Sequence, residues 1–296
     1  MKDIRQSSRF AGFMKNIGWQ VGKINSTFIY LKKFPIFGYF AKIPRLKPPF
    51  PFLEIKNLVK NKNIFQLKIA PFVTCENNKY KYYRSQFLNN GYKIENFPFN
   101  PTTDIYIDLK RKEKDIFNSF TPAKRRAVRR AIKNGIIARE SDDLESFIRI
   151  RKKQYFPTGF LVVSEMKALW KNFYPKDASL ILAYNQGEPV AGILLLFYDH
   201  TAYYWYASSL KIGKKLFAPT LLVWEALKVA KKRGCQTFVF EGIYDERFPK
   251  AAEGWKGFTK FKEGFGGKKV VYMENFYLLQ INPRGLICQK ISFVFY

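Results

Sequence analysis

The chain has a single histidine, His200, and only three cysteines, Cys75, Cys235 and Cys288, in 296 residues. One imidazole cannot furnish a histidine-rich metal site, and a Ser-His-Asp triad is hard to build from His200, which sits in Asp199-His200-Thr201 between two strand-like runs, where turn chemistry is expected. Cysteines this far apart have neither metal-ligand spacing nor an even count for a disulfide framework, so a reducing compartment is expected and no metal is assigned. Carboxylates are also scarce. There are 23 Asp and Glu against 52 Lys and Arg, a formal net charge of +29. Self-repulsion on that scale points to a polyanionic partner or surface, with nucleic acid, phosphorylated substrates and anionic lipid as the candidates. The start, Met1-Lys2-Asp3-Ile4-Arg5-Gln6, lacks an apolar signal core, and the richest later stretch, residues 216–230, contains Glu225 and is too short to span a bilayer. The expected location is cytoplasmic, at most peripheral to the inner face of the cell membrane.

What is abundant is apolar and aromatic: 47% hydrophobic residues and 18% aromatics, enough for two packed domains at this length. Thr27-Phe28-Ile29-Tyr30-Leu31 reads as a strand, and Ile64-Phe65-Gln66-Leu67-Lys68-Ile69 alternates as a half-buried strand should. Residues 53–60 and 80–88 read as helices. The run Lys42-Ile43-Pro44-Arg45-Leu46-Lys47-Pro48-Pro49-Phe50-Pro51 carries four prolines, which predicts an extended segment and excludes a central strand. Further on, residues 180–184, 190–197 and 202–207 with turns between them predict an antiparallel meander, followed by a helix over 221–232, a strand over 237–240 and a late strand over 269–276. The fold class expected is α/β (α+β), with mixed, mostly antiparallel sheets flanked by helices.

The sharpest helix signal is residues 122–134. Thr121 can cap it, Pro122 suits its first position and Gly135 closes it. At helical spacing Arg125, Arg126, Arg129, Arg130 and Lys133 share an arc of about 140°, with Val128 and Ala131 opposite. Such a face binds tRNA or an anionic membrane surface through counterion release, or is a solvated face with no partner.

Several short motifs recur in order: Gly18-Trp19, Ile107-Asp108-Leu109, Tyr203-Tyr204-Trp205-Tyr206-Ala207-Ser208-Ser209, Pro219 with Trp224-Glu225, Phe240-Glu241-Gly242-Ile243 and Phe261-Lys262-Glu263-Gly264-Phe265-Gly266. In these the chain resembles the Fem (FemAB/FemX-like) family of non-ribosomal aminoacyltransferases that build peptidoglycan bridges. The resemblance implies two tandem acetyltransferase (GNAT)-like domains: residues 1–105 completed by 274–296, and residues 106–273. It implies transfer of an amino acid from aminoacyl-tRNA, with no cofactor, to the amine of a nucleotide- or lipid-linked peptidoglycan precursor. Lys262 matches the lysine of the family's Phe-Lys motif and is expected to stabilise the oxyanion and leaving oxygen, with Phe261 and Gly266 around the substrate. Lys42 and Arg45 stand where the family grips the precursor's phosphates.

Strand alternation puts Tyr204 and Tyr206 on one side and Tyr203 and Trp205 on the other, and Tyr204 is the candidate to orient the acceptor amine. The sequence departs from the family at Tyr155-Phe156-Pro157-Thr158-Gly159-Phe160, where relatives carry an arginine before the Gly-Phe pair, and at Thr220, where a tyrosine is common. An acyl-CoA-dependent N-acyltransferase and a non-catalytic RNA- or membrane-binding relative are the alternatives. Against acyl-CoA stands Lys211-Ile212-Gly213-Lys214-Lys215-Leu216-Phe217-Ala218, whose one glycine makes a poor pyrophosphate cradle.

Overall fold

Runs rich in Ile, Leu, Phe and Tyr alternate with short helices, and in the computed structural model, which describes residues 2–280, they assemble into two mixed sheets, one in each of two compact units.

One unit comprises Arg5–Thr103, Tyr244–Glu253 and residues 270–280. Its elements are α1 (Ser8–Asn16), β1 (Gln20–Ile24), β2 (Thr27–Phe34), β3 (Gly38–Leu46), α2 (Phe52–Asn61), β4 (Ile64–Pro71), α3 (Tyr80–Asn89) and β5 (Lys93–Ile94). The sheet order is β1-β2-β3-β4, then the strand Phe276–Leu279, then β5. Only β3 and β4 run parallel, because α2 carries the chain back across the sheet between them. The chain beyond residue 280, which includes Cys288 and most of the segment expected to complete this domain, lies outside the described residues; Cys75 and Cys235 are free thiols.

Two expectations are corrected here. β4 is not half-buried: all eight of its residues are buried, and Lys68 on its polar face is paired with the buried Glu95 at 2.7 Å. A buried lysine is tolerated only because a carboxylate meets it, and alternation in the sequence cannot report that partner. The proline-rich run does enter a central strand, since residues 42–46 belong to β3, flanked by β2 and β4. The ladder tolerates Pro44 because the register to β4 shifts between Ile43 and Leu46, with Arg45 at a φ of 51°, so the residue without an N–H falls where no rung is made. The core of this unit is aromatic. Phe87 is fully buried, stacked on Phe276 at 4.4 Å between centroids and touching Phe50, Phe52 and Tyr92 at 4.8, 5.1 and 5.5 Å.

The other unit comprises residues 2–4, Asp104–Ile243 and Gly254–Lys269. The segment Tyr244–Glu253 therefore interrupts the single stretch 106–273 foreseen for the second domain. It is tied to the first unit by Asp245, whose Oδ2 accepts from Thr102 and Thr103 at 2.6 and 2.8 Å and from Arg247 at 2.7 Å. The elements are β6 (Thr103–Asp108), α4 (Glu113–Asn118), α5 (Pro122–Lys133), β7 (Ile137–Ser141), α6 (Leu144–Gln154), α7 (Val163–Phe173), β8 (Ala178–Asn185), β9 (Glu188–Tyr198), β10 (Thr201–Ser209), α8 (Lys211–Lys215), α9 (Ala218–Lys232), β11 (Thr237–Phe240), α10 (Lys256–Glu263) and β12 (Lys268–Val271). The late strand foreseen over 269–276 is in fact two: β12 edges this seven-stranded sheet, ordered β12-β6-β11-β10-β9-β8-β7, while Phe276–Leu279 joins the other sheet. β10 and β11 are its parallel pair, joined by α8 and α9. Both sheets thus follow one plan: an antiparallel meander, a helical crossover and a parallel strand.

Candidate active site

The parallel pair determines where the site forms. β10 and β11 share only three rungs, Thr201 to Tyr203 against Thr237 to Val239, and from Tyr204 onward the strands part. The gap is a cavity of about 830 Å³ walled by residues 204–209 of β10, Glu241 after β11, the last turn of α6, the start of α9 and one face of α10. Such a crevice beyond the carboxyl ends of parallel strands is where ligands bind in open sheets.

Lys262 lines this cavity from the last turn of α10. Only 6% exposed, it donates from Nζ to the backbone carbonyls of Glu241 and Gly242 at 2.5 and 2.6 Å. Its Nζ also lies 4.9 Å from the Phe258 ring centroid and 5.7 Å from that of Tyr204. Burial pulls its pKa down to about 8, with Asp104 and Glu241 acting against that shift. An ammonium has three donors, and the two carbonyls take two, which leaves one for a group inside the cavity. The loop that supplies those carbonyls is itself held, because Gly242 N donates to the buried Asp104 at 2.7 Å.

The motif around Lys262 has a separate role for nearly every residue. Phe261 lines the cavity and lies under Lys124, whose Nζ is 3.7 Å from its centroid and 4.9 Å from that of Phe265. Gly264 is a glycine because a Cβ there would come within 2.6 Å of the Lys124 stem. Lys124 escaped the sequence reading: it faces the aromatic motif from the first turn of α5, and burial pulls its pKa down to about 8. Gly266, expected near the substrate, does not line the cavity. Its φ is +76° and a Cβ would meet the Ser119 carbonyl at 2.8 Å, so it closes a turn against the helix preceding α5. Gly266→Ala is expected to lower unfolding free energy by about 1–3 kcal/mol, read from the denaturant midpoint at unchanged slope.

Tyr204 and Tyr206 both line the cavity as alternation foresaw, but so does Trp205, because the pairing to β9 skips it and the bulge turns it toward the same space. Tyr203 is buried in the opposite layer. Burial raises the phenol pKa of Tyr204 and Tyr206 well above its ordinary value, so both remain neutral donors; Tyr206 donates to Glu165 at 2.8 Å.

Of the remaining expected residues, Lys42 and Arg45 belong to the first unit. Lys42 Nζ lies over the Trp19 ring at 4.4 Å, so the Gly18-Trp19 motif and this lysine form one group. Arg45 is 2% exposed, donates to the Pro101 carbonyl at 3.0 Å and lies 4.0 Å from the Tyr272 centroid. It is a packed residue of β3, where a phosphate-gripping residue on an extended segment was expected. On α5, Thr121 and Pro122 cap as foreseen and Val128 and Ala131 are buried, while Arg126, Arg129, Arg130 and Lys133 are exposed. Arg125 differs from them, since its guanidinium donates to the Asn118 and Phe120 carbonyls.

Arg151, Gln154, Trp255 and Phe258, which no sequence motif marked, also line the cavity, as do Tyr155 and Lys214, which stood only in segments read as departures from the family or from a phosphate loop. Arg151 and Gln154 come from α6, Lys214 from α8 and Phe258 from α10, and only the fold collects them. Among the described residues no cluster of three or more His, Cys, Asp or Glu side chains is placed to hold a metal ion, and no helix is long and apolar enough to cross a membrane.

Two units with this strand plan define the class by fold: a tandem GNAT-type fold. Part of the chain is FemAB-like, for the FemAB family model matches residues 163–284, from α7 to just past the strand Phe276–Leu279. Among solved structures it is similar to FemX, with a TM-score of 0.76 at 17% identity over 96% of this chain and 94% of that one. L-PGS from Bacillus licheniformis superposes with a TM-score of 0.55 at 13% identity over 99% and 97% of the two chains. A tandem GNAT protein from the clavulanic acid biosynthesis pathway gives 0.55 at 10% identity over 86% and 78%. At these identities the likeness is one of fold. No curated protein sequence matches the chain.

Proposed function

We propose that this protein is an aminoacyltransferase, which moves an amino acid from aminoacyl-tRNA to the amine of a peptidoglycan precursor in the cavity between β10 and β11. The observation that carries this reading is Lys262: a buried cation, fixed by two carbonyls, with one donor free at the wall of a substrate-sized cavity. In the transfer the acceptor amine adds to the ester carbonyl carbon, the carbonyl oxygen becomes an oxyanion, and the C–O bond to the ribose then breaks. The one free donor of Lys262 goes to the oxyanion and, as that collapses, to the leaving ribose oxygen, which takes up the proton the amine has released. Tyr204, a neutral phenol on the same wall, orients the amine, and Glu241, the carboxylate among the lining residues, accepts its proton. The FemAB family match, with the motif resemblance given above, supports the peptidoglycan acceptor, and the likeness to FemX supports the fold that would carry it. Against acyl-CoA as the donor, residues 211–215 form the short helix α8, and Gly213 serves close packing, since a Cβ would meet the Val190 carbonyl at 2.7 Å. The deciding assay supplies labelled aminoacyl-tRNAs and a precursor, then acyl-CoA with the same acceptor. Transfer from acyl-CoA alone would replace this reading with the N-acyltransferase one.

The exposed cations of α5 supply tRNA affinity without chemistry. Changing Arg126, Arg129 and Arg130 together to Gln is expected to weaken tRNA binding and to reduce the log–log salt slope by about 2–3. Filter binding across a salt series checks it, and an unchanged slope removes the role. A peripheral membrane contact belongs to the same reading. Phe156, Phe160 and Leu161, 86%, 61% and 65% exposed, follow the cavity-lining Tyr155 and the exposed Lys152 and Lys153, the composition of an interfacial segment. Anionic and zwitterionic vesicles, run beside tRNA, separate the two partners.

A further inference from the structure

We infer that Arg151 is the anion-binding residue of this cavity, taking a carboxylate or phosphate group of the substrate on its two Nη groups. The inference deepens the proposed function by giving the substrate a negative group beside the reacting amine. Arg151 lies in the last turn of α6 and lines the cavity. Its Cζ is 4.9 Å from the ring centroids of both Tyr155 and Tyr206, so two aromatic faces restrict the guanidinium to one plane. Of its five donors, Nη1 makes one long bond, 3.4 Å to Ser208 Oγ. Nε is buried and has no partner among the described residues, and no carboxylate there lies within ion-pair distance of the group.

A guanidinium that is preorganised, cationic and left with an unpaired buried N–H is a poor structural element and a good receptor. The two Nη donors of a guanidinium match the two oxygens of a carboxylate or phosphate in parallel, which a lysine ammonium cannot reproduce. The surroundings favour an anion as well. The lining carries three cations, Arg151, Lys214 and Lys262, against one carboxylate, Glu241. Gln154, one turn-position away from Tyr155 on the same wall, accepts from Ser209 N at 2.7 Å through Oε1, which leaves its amide NH2 as a further donor to the cavity. Nothing in the sequence marks this subsite, because Arg151 is one of several basic residues at the end of α6 and is distinguished only by the two rings that hold it.

The test is binding, without turnover. Inorganic phosphate and acetate are titrated separately into the full chain by calorimetry or NMR, and into Arg151→Met, Arg151→Lys and, as a control of equal charge change, Lys152→Met. At least one anion is expected to bind the parent. Arg151→Met should weaken it roughly tenfold or more, Arg151→Lys should recover only part, and Lys152→Met should match the parent. Which anion binds distinguishes carboxylate from phosphate. Should Arg151→Met fail to fold, Arg151→Lys and protection of Arg151 from phenylglyoxal by the bound anion give the same answer. The inference is overturned if neither anion binds the parent, if Arg151→Met binds like it, or if Lys152→Met loses as much. A parent that binds the anion but transfers nothing from aminoacyl-tRNA leaves the subsite standing and fails the aminoacyl-transfer reading instead.

Discussion

Lys262→Met is expected to lower turnover by about two to three orders of magnitude while leaving donor affinity nearly unchanged, because it removes one preorganised charged donor from the transition state and little from the ground state. The pH dependence carries the sign of the same argument. Burial brings the Lys262 pKa down to about 8, so the ammonium is present below that value and is lost as pH rises through it. The parent rate should therefore fall above pH 8, and the Met variant should lack that limb. Single-turnover rates and donor affinity measured across pH check both parts. A Met variant within about threefold of the parent would make the lysine structural, since that factor corresponds to well under 1 kcal/mol. Because Lys262 also satisfies two carbonyls, a thermal melt of the variant separates a folding defect from a catalytic one.

Phe87→Ala should cost about 3–5 kcal/mol of stability, a large fraction of what holds an ordinary domain together. Phe87 is fully buried, stacked on Phe276 and enclosed by Phe50, Phe52 and Tyr92, so truncation leaves a cavity whose walls are rigid rings with little freedom to collapse into it. Equilibrium denaturation monitored by circular dichroism gives the number. A loss below 1 kcal/mol would mean that the ring cluster repacks, and that its contacts contribute far less than their geometry implies. The effect should fall first on the six-stranded sheet, where the strand Phe276–Leu279 is held between β4 and β5.

Much of the secondary structure was legible because it follows from local chemistry. Thr121, Pro122 and Gly135 mark the ends of α5 through capping, a preset φ and a left-handed terminus, each decided within a few residues. The Asp199-His200 turn and the β8-β9-β10 meander follow from alternation and turn residues in the same way. The misreadings share one cause, a partner distant in sequence. Lys68 made β4 look half-exposed because Glu95, which allows it to be buried, lies 27 positions along the chain. Pro44 argued against a central strand because the register shift that accommodates it belongs to the pairing with β4. Gly266 looked like a substrate contact because its motif is read as one string, although the atom that demands a glycine is the carbonyl of Ser119.

The sequence by itself therefore determined the element types, the mixed two-sheet class, the basic face of α5 and the choice of Lys262 as a candidate, since each is written in local periodicity, capping or a contiguous motif. The tertiary structure alone decided that β10 and β11 part after three rungs, that Trp205 turns into the opening, that Lys124 lies on Phe261 and that Arg151 stands in the cavity with its Nε unpaired. Those facts depend on where separate segments meet, and burial, pairing and the loss of a hydrogen-bond partner are properties of the meeting and not of the residues.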